Sequence, residues 1–439
     1  MSDIIITPEY EECMSHIAMG ASVVFVNGRA GTGKSVLIDV LTDNFKEKEI
    51  VKLAPTGIAA LNVYGQTIHS LFRFPFGVLT VELVRDHIRK MWDYDNGVLE
   101  NVDMIIIDEI SMVRADVMDA IDQTLRGFRD KTKPFGGVQL VIVGDLFQLP
   151  PVLTEDDKKD FEDLYESEFF FSSNAIVECM QKCILEIVTL THTFRQKDEI
   201  FINVLNDMRL NKNRKKCVKI LNHCCYDNPE HLPEESAITL CTTNMKASHI
   251  NDSKLHKLPG DLMSFKATTT GTFNLKMITP ELLKLKIGAK VMFTKNGDLW
   301  VNGSMGVVDD FADGGIMVRM AEDDTLVFVK QEKWEIIKTY FNRTTYKMDE
   351  YVMGSFTQYP LALAWAVTIH KSQGLTFDHV KLDLGKEAFA AGQTYVGFSR
   401  CRTLDGIELM RPMIPADIKV DRRVVEFFDR VETGYFLHK

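Results

Sequence analysis

The chain has 439 residues, enough for two to four domains with large cores. Its composition is that of an ordinary globular protein, and a net charge of −11 excludes a molecule that is basic overall; any nucleic-acid site must be a local basic lining in an acidic body. The first residues carry no basic segment or leader cleavage site, and the longest apolar stretch, 360–369, is about half a membrane span, so a cytoplasmic chain with no membrane partner is expected.

Short apolar runs at 23–26, 50–54, 104–107 and 138–143 predict strands of a parallel sheet buried on both faces. Helical patterns lie between them, as where Val113, Val117, Ile121 and Leu125 share one face. A doubly wound sheet puts its ligand loops at the carboxyl ends of its strands. The first run leads straight into Gly28-Arg29-Ala30-Gly31-Thr32-Gly33-Lys34-Ser35, and a helical pattern follows. That context makes it a P-loop: the backbone of Gly28, Gly31, Thr32 and Gly33 cradles phosphates, Lys34 reaches the β/γ-phosphates and Ser35 ligates Mg²⁺. The third run ends in Asp108-Glu109, a magnesium-holding acid and a second acid that polarises the attacking water. The fourth ends in Gly144-Asp145-Leu146-Phe147-Gln148-Leu149-Pro150-Pro151, a turn presenting Gln148, whose neutral amide orients water beside a γ-phosphate.

The acidic stretch 155–168 reads as a solvated face or linker, and the basic run 201–222 (Arg209, Lys212, Arg214, Lys215, Lys216, Lys219) as an exposed helix or loop, with backbone contacts to a polynucleotide as the weaker reading. The eight cysteines lack zinc-site spacing and read as free thiols. A second α/β rhythm has strands at 237–241 and 380–384. Between them, about 260–350, short alternating runs separated by Asn-Gly and Gly-Gly turns predict a small inserted antiparallel β-barrel. Lys284, Lys286 and Lys290 on it are further candidates for backbone contacts. Residues 364–376 read as an apolar helix running into a polar loop, where Thr368, His370, Lys371 and Ser372 are placed to bond polynucleotide phosphates. Arg195 and Arg400 are candidates for arginines supplied from a second domain to a phosphoryl-transfer site, a contribution of ~10³–10⁵ in rate.

The set P-loop, Asp108-Glu109-Ile110-Ser111-Met112, the Gln148 turn, Thr193-Phe194-Arg195-Gln196, 366–375 and Tyr395-Val396-Gly397-Phe398-Ser399-Arg400-Cys401-Arg402 stands in the order of superfamily-one DNA helicases. With Ala54-Pro55-Thr56-Gly57-Ile58-Ala59-Ala60, Gly65-Gln66-Thr67-Ile68-His69-Ser70 and Pro134-Phe135-Gly136-Gly137-Val138-Gln139-Leu140, the chain resembles the petite-integration-frequency helicases, Pif-type relatives of RecD, in a bacterial or phage form. The resemblance implies an α/β architecture of two RecA-like domains. The first would be 1–175 with a wedge near 71–85, around Leu71-Phe72-Arg73-Phe74-Pro75-Phe76. The second would be 176–260 with 352–439, carrying a Src-homology-like barrel at 261–351.

It also implies ATP with Mg²⁺, 5′-to-3′ movement on single-stranded DNA, unwinding at single/double-strand junctions, G-quadruplex resolution in several relatives, action as a monomer and a nucleoid-associated location. Lys34, Ser35, Asp108, Glu109, Gln148, Arg195, Gly374 and Arg400 fall at the ATPase positions, and Thr56, Gly57, His69, Thr368, His370 and Ser372 at DNA positions. One departure is the absence of the glutamine that often precedes the P-loop; here the segment is Ile6-Thr7-Pro8-Glu9-Tyr10-Glu11-Glu12, which bears on preference for ATP. A P-loop kinase or transferase would use Lys34 and Asp108 but leave Gln148 and Arg400 idle, and a non-unwinding switch or RNA-directed translocase would keep the same ATPase set.

Overall fold

A computed structural model of the chain describes residues 5–433 except 76, 93–96, 197, 228–231, 233–235, 274–278 and 343. The first domain is built on a six-stranded parallel sheet. Its strands are β1 (Val23–Gly28), β2 (Ile50–Ala54), β3 (Gln66–Thr67), β4 (Met104–Ile107), β5 (Gln139–Gly144) and β6 (Leu185–Leu190), in the order β3-β2-β4-β5-β1-β6. Alternate residues of β1 face opposite layers: Val23 and Phe25 join one core, Val24 and Val26 the other. The second of these layers is completed by Pro8–Ala18 and Lys34–Asn44, through Tyr10, Cys13, Leu37 and Leu41. Both faces are therefore sealed, and the loops carrying Lys34, Asp108 and Gln148 emerge at the strand ends.

The sheet runs past the expected boundary at 175, because β6 pairs with β1 in register along its whole length. A second departure is at the other end of the chain. The helix Arg422–Thr433, expected in the second domain, packs Val424 and Phe427 into the first core, with the Phe427 ring 4.5 Å from Phe171. Arg423 fastens it to Glu168 at 2.6 Å and to Asp421. The aromatic run assigned to the wedge turns inward: Phe72 and Phe74 are buried and stacked, while Phe76 lies outside the described residues. The acidic stretch includes a helix, Glu155–Glu162.

The second domain has a parallel sheet containing β7 (Ile238–Cys241). The inserted unit follows it: β8 (Met263–Lys266), β9 (Thr268–Gly271), β10 (Leu282–Leu285), β11 (Lys290–Phe293), β12 (Met305–Ala312), β13 (Gly315–Met320), β14 (Leu326–Val329), β15 (Glu332–Asn342), β16 (Lys347–Gln358) and β17 (Leu361–Leu363). Five of these make an antiparallel sheet, β14-β13-β12-β11-β17, which shares one core with β10. β15 and β16 form a long separate hairpin, extended by β9, that leans on the first domain: the Met348 N–H donates to Glu49 Oε2 at 2.9 Å. The insert thus runs beyond 351 and is more than a barrel. β18 (Ala366–Thr368), β19 (Val380–Asp383) and β20 (Ile407–Leu409) complete the second sheet as β18-β7-β19-β20. The apolar run read as a helix is therefore the buried strand β18. Four to eight continuous apolar residues fit either element, and pairing with β7 decides it here.

Candidate active site

β1 delivers the P-loop. Gly31 and Gly33 have φ of +79° and +80°, which lets the chain curl and start the helix Lys34–Asn44 with free N–H groups facing the loop. Lys34 Nζ donates to the carbonyls of Gly28 (2.9 Å) and Arg29 (3.1 Å), folded back into the space a phosphate would fill. Burial lowers its pKa, against the opposing pull of Asp145, Glu109 and Asp108. Ser35 is exposed at the helix start.

β4 delivers the acids. Burial, then the charge of Glu109, raises the Asp108 pKa. Glu109 sits in the left-handed region at φ +51°, its N–H bonded to Asp108 Oδ1 at 2.8 Å. Its Oε2 is buried and has no hydrogen-bond partner. An orphaned carboxylate oxygen is costly to bury, which suits a group that meets its partner only with substrate present. Ser35 and Asp108 offer the hard oxygen donors that Mg²⁺ prefers, so the residues fit that ion.

β5 delivers Asp145 and Gln148. Gln148 is buried; its Nε2 lies 3.4 Å from Asp145 Oδ2, and its Oε1 accepts from Gln373 of the second domain at 3.4 Å. Asp145 is completely buried. Burial works against its ionisation, but Arg209, Lys34 and the Tyr395 hydroxyl outweigh that and hold its pKa below the usual carboxylate value.

The other side of the site is made by the segment leaving the first sheet and by the second domain. The segment after β6 lies on the P-loop: Phe194 N–H donates to Gly31 O at 2.8 Å, and a Cβ on Gly31 would come 2.4 Å from Arg195 Cβ. Arg195 Nη1 donates to Ser399 O at 3.0 Å. Burial, then the positive charge of Arg400, lowers the Arg195 pKa to about 9. Arg400 itself is 2% exposed and turned into its own domain, donating to Val396 O, Ser372 O, Leu375 O and Ser399 Oγ. Gly374 has φ +80° in the same turn.

Two further residues, Arg209 and Tyr395, belong to this site and were not assigned to it by sequence. Arg209, read as part of an exposed basic run, is buried and donates to Asp145 Oδ1 (3.1 Å) and to Asn27 Oδ1 (3.2 Å) at the end of β1. Tyr395 is also buried, and its hydroxyl meets both Asp145 and the P-loop. A sequence signal existed for Arg209: it follows Phe201, Val204, Leu205 and Met208 on the buried side of the helix Glu199–Arg209.

Of the six residues expected at DNA, Gly57, His69 and Thr368 line two clefts. Gly57 and His69 line a cavity of about 500 Å³ between the first domain and the β15–β16 hairpin, with Gln66, Ser70 and Lys338. Thr56 caps the helix Gly57–Asn62 by accepting from Ala59 N–H at 3.3 Å. Thr368, Lys371 and Lys284 line another cavity, of about 290 Å³. His370 is half-buried, and burial lowers its pKa. Ser372 is completely buried and donates to Ile369 O at 2.8 Å, so it braces the turn instead of facing a strand. Lys290 is likewise buried, bonded to Ala237 O, and Lys286 donates to Leu258 O at 2.7 Å.

A family model described as PIF1-like helicase matches residues 8–218. The chain is similar to Bacteroides sp Pif1 solved in complex with ADP-AlF4, at 34% identity and a TM-score of 0.85 with 99% of each chain covered. The chain belongs to the PIF1-like helicase family. The ATP-dependent DNA helicases PIF1 of Danio rerio and Homo sapiens are each 33% identical to it, over 93% and 94% of this chain but 61% and 62% of theirs. It thus spans about three fifths of the length of these curated relatives. The Bacteroides Pif1 bound to ssDNA matches with a TM-score of 0.68, against 0.85 for the unliganded form, at 34% identity in both cases. The chain is thus nearer in overall shape to the unliganded and ADP-AlF4 forms, both at 0.85, than to the ssDNA-bound form.

Proposed function

We propose that this PIF1-like chain is an ATP-driven DNA helicase. It hydrolyses ATP with Mg²⁺ held by Ser35 and Asp108, with Lys34 on the β/γ-phosphates, Glu109 as the base for the attacking water, Gln148 orienting it, and Arg195 and Arg400 on the γ-phosphate. Single-stranded DNA crosses the two clefts, with Thr56, Gly57 and His69 on the first domain and Thr368 and His370 on the second. Movement is 5′ to 3′, the substrates are strand junctions and G-quadruplexes, and the monomer is the working unit in a nucleoid-associated setting of a bacterial or phage-infected cell.

The observation that carries this reading is Arg195, which lies on the P-loop and donates to Ser399 O of the second domain at 3.0 Å. A γ-phosphate sensed from two domains converts bond cleavage into cleft movement, because each nucleotide state favours a different geometry. Duplexes with a 5′ or a 3′ single-stranded tail test activity and polarity together. Unwinding of the 5′-tailed duplex alone is expected. Unwinding of the 3′-tailed duplex reverses the polarity, and ATP hydrolysis indifferent to added single strands removes the motor reading.

A further inference from the structure

The helix Gln393–Ser399 joins the P-loop, the Gln148 turn and Arg400 in one rigid piece. Its first contact is at Gly392, φ +72°, where a Cβ would stand 2.3 Å from Gln148 O and 2.6 Å from Phe147 O, so the helix start lies directly on the turn that carries Gln148. Its second is Tyr395. The buried hydroxyl accepts from the P-loop Ala30 N–H at 3.2 Å and donates to Asp145 Oδ2 at 2.9 Å. The other oxygen of Asp145 accepts from Arg209 Nε at 3.1 Å, and Arg209 lies over the Phe147 ring at 4.3 Å. The third lies one turn on, where Ser399 O accepts from Arg195 and Arg400 begins. No phosphate-facing group is needed to make these contacts, and both arginines are meanwhile bonded to carbonyls of their own domain or of this helix.

We infer that Tyr395 is a positioning residue for ATP hydrolysis: its hydroxyl, shared between Ala30 N–H and Asp145, fixes the helix Gln393–Ser399 on the phosphate cradle so that Arg400 swings from a set pivot. Tyr395 touches no reacting atom in this role. It supplies the fixed end of a lever whose free end carries the arginine. A hydroxyl is suited to it because one oxygen accepts from the backbone while its proton goes to the carboxylate. The adjacent charges of Asp145 and Arg209 strengthen the bond in a buried setting.

This inference rests on the proposed ATPase role of the site. The test is Tyr395→Phe in the full chain, which keeps the ring and removes the hydroxyl. Turnover of ATP at saturating single-stranded DNA is expected to fall about tenfold, the size of one hydrogen bond to a charged group. KM for ATP and the Kd for a single-stranded oligonucleotide stay within twofold, since the cradle and the DNA clefts are intact. In an Asp145→Asn background the same change costs clearly less, because the hydroxyl has lost its charged partner. Turnover within twofold of the parent overturns the positioning role, as does an equal penalty in both backgrounds or a parallel loss of nucleotide and DNA binding. If the parent chain itself shows no DNA-stimulated hydrolysis, the ATPase reading fails instead, and this inference with it.

Discussion

Glu109→Gln is the substitution for which the structure gives the sharpest expectation. The side chain is isosteric, so packing at the end of β4 is unchanged. Glu109 Oε2 is buried and makes no hydrogen bond, so no existing contact is lost on replacement. The backbone contact to Asp108 is made by the Glu109 N–H and survives. The charge of Glu109 contributes to the raised Asp108 pKa, so its removal eases ionisation of Asp108 and leaves the magnesium position intact. Besides a charge that also bears on Lys34 and Arg400, what disappears is proton acceptance by the carboxylate. A positioned general base contributes about 10²–10⁴ in rate, or ~3–5 kcal/mol at the transition state. Phosphate release at saturating ATP and single-stranded DNA is therefore expected to drop at least about 100-fold. Binding of a non-hydrolysable ATP analogue and of an oligonucleotide, read by fluorescence anisotropy, should stay within twofold. The unfolding midpoint should not fall. Near-normal turnover in this variant refutes the assignment of the base, and a loss of analogue binding as large as the loss of rate would make Glu109 a ground-state ligand.

Other expectations follow from packing and charge. Gly392→Ala forces a Cβ into the carbonyls of Gln148 and Phe147 at a positive φ, and should lower stability by roughly 1–3 kcal/mol in urea titration; an unchanged midpoint would mean the helix start does not lie on that turn. Phe427→Ala removes a ring packed among Phe25, Phe170 and Phe171 and should cost about 3–5 kcal/mol, whereas a negligible effect would show that the helix Arg422–Thr433 is not docked in solution. Asp417 is completely buried; burial opposes its charge, but the 2.6 Å pair with Arg411 and the Ile414 and Ala388 N–H groups prevail, so its folded pKa is lowered. A lowered carboxylate pKa adds stability that is full above the unfolded value near 4 and is lost as pH falls through the folded value, so Asp417→Asn should be less stable at neutral pH and show a shallower acid limb. Replacing both Lys284 and Lys371 by Ala should reduce the salt slope of single-strand affinity by about 1.4, at ~0.7 per phosphate contact, and an unchanged slope would remove that cleft from the DNA path.

The first-domain strands were legible because a sheet buried on both faces needs continuous apolar runs, and each run ended at a chemical signal. The same cue misled at 364–369, where strand β18 and a buried helix have the same composition. Boundaries were less legible. β6 begins with Leu185-Glu186-Ile187, half-polar because it is an edge strand beside β1, and nothing in that pattern says to which sheet it belongs. The return of Arg422–Thr433 to the first domain depends on Phe427 meeting Phe171 across some 250 residues of chain, a contact with no local signature. Arg209 shows the limit of charge counting: a run of six basic residues hides one whose partner, Asp145, lies in another domain. Ser372 and Lys290 failed as DNA candidates for the converse reason, since a polar type in a motif does not reveal whether its bonds are already made within the fold.

The arginines say most about what the cleft is set to do. Burial lowers the pKa of both Arg195 and Arg400, with the charge of Arg400 adding to it at Arg195, and both donate to neutral carbonyls. A guanidinium bonded to a carbonyl is satisfied but not neutralised, and two of them in one buried place are held against their mutual repulsion. A terminal phosphate between the domains offers charged oxygens to both, and the trade of neutral for anionic acceptors favours the state that brings them together. A ligand moves a two-state equilibrium only by its differential affinity for the states. On the proposed reading that difference is concentrated on Arg195, Arg400 and Lys34, each of which bonds a backbone carbonyl and would exchange it for a phosphate oxygen. Hydrolysis would then remove that acceptor and return the donors to the carbonyls. Such a cycle would need no strained backbone to store its energy, only carbonyl-bonded and phosphate-bonded states that differ in cleft geometry, with the Gln393–Ser399 helix, held at Gly392 and Tyr395, as the proposed pivot.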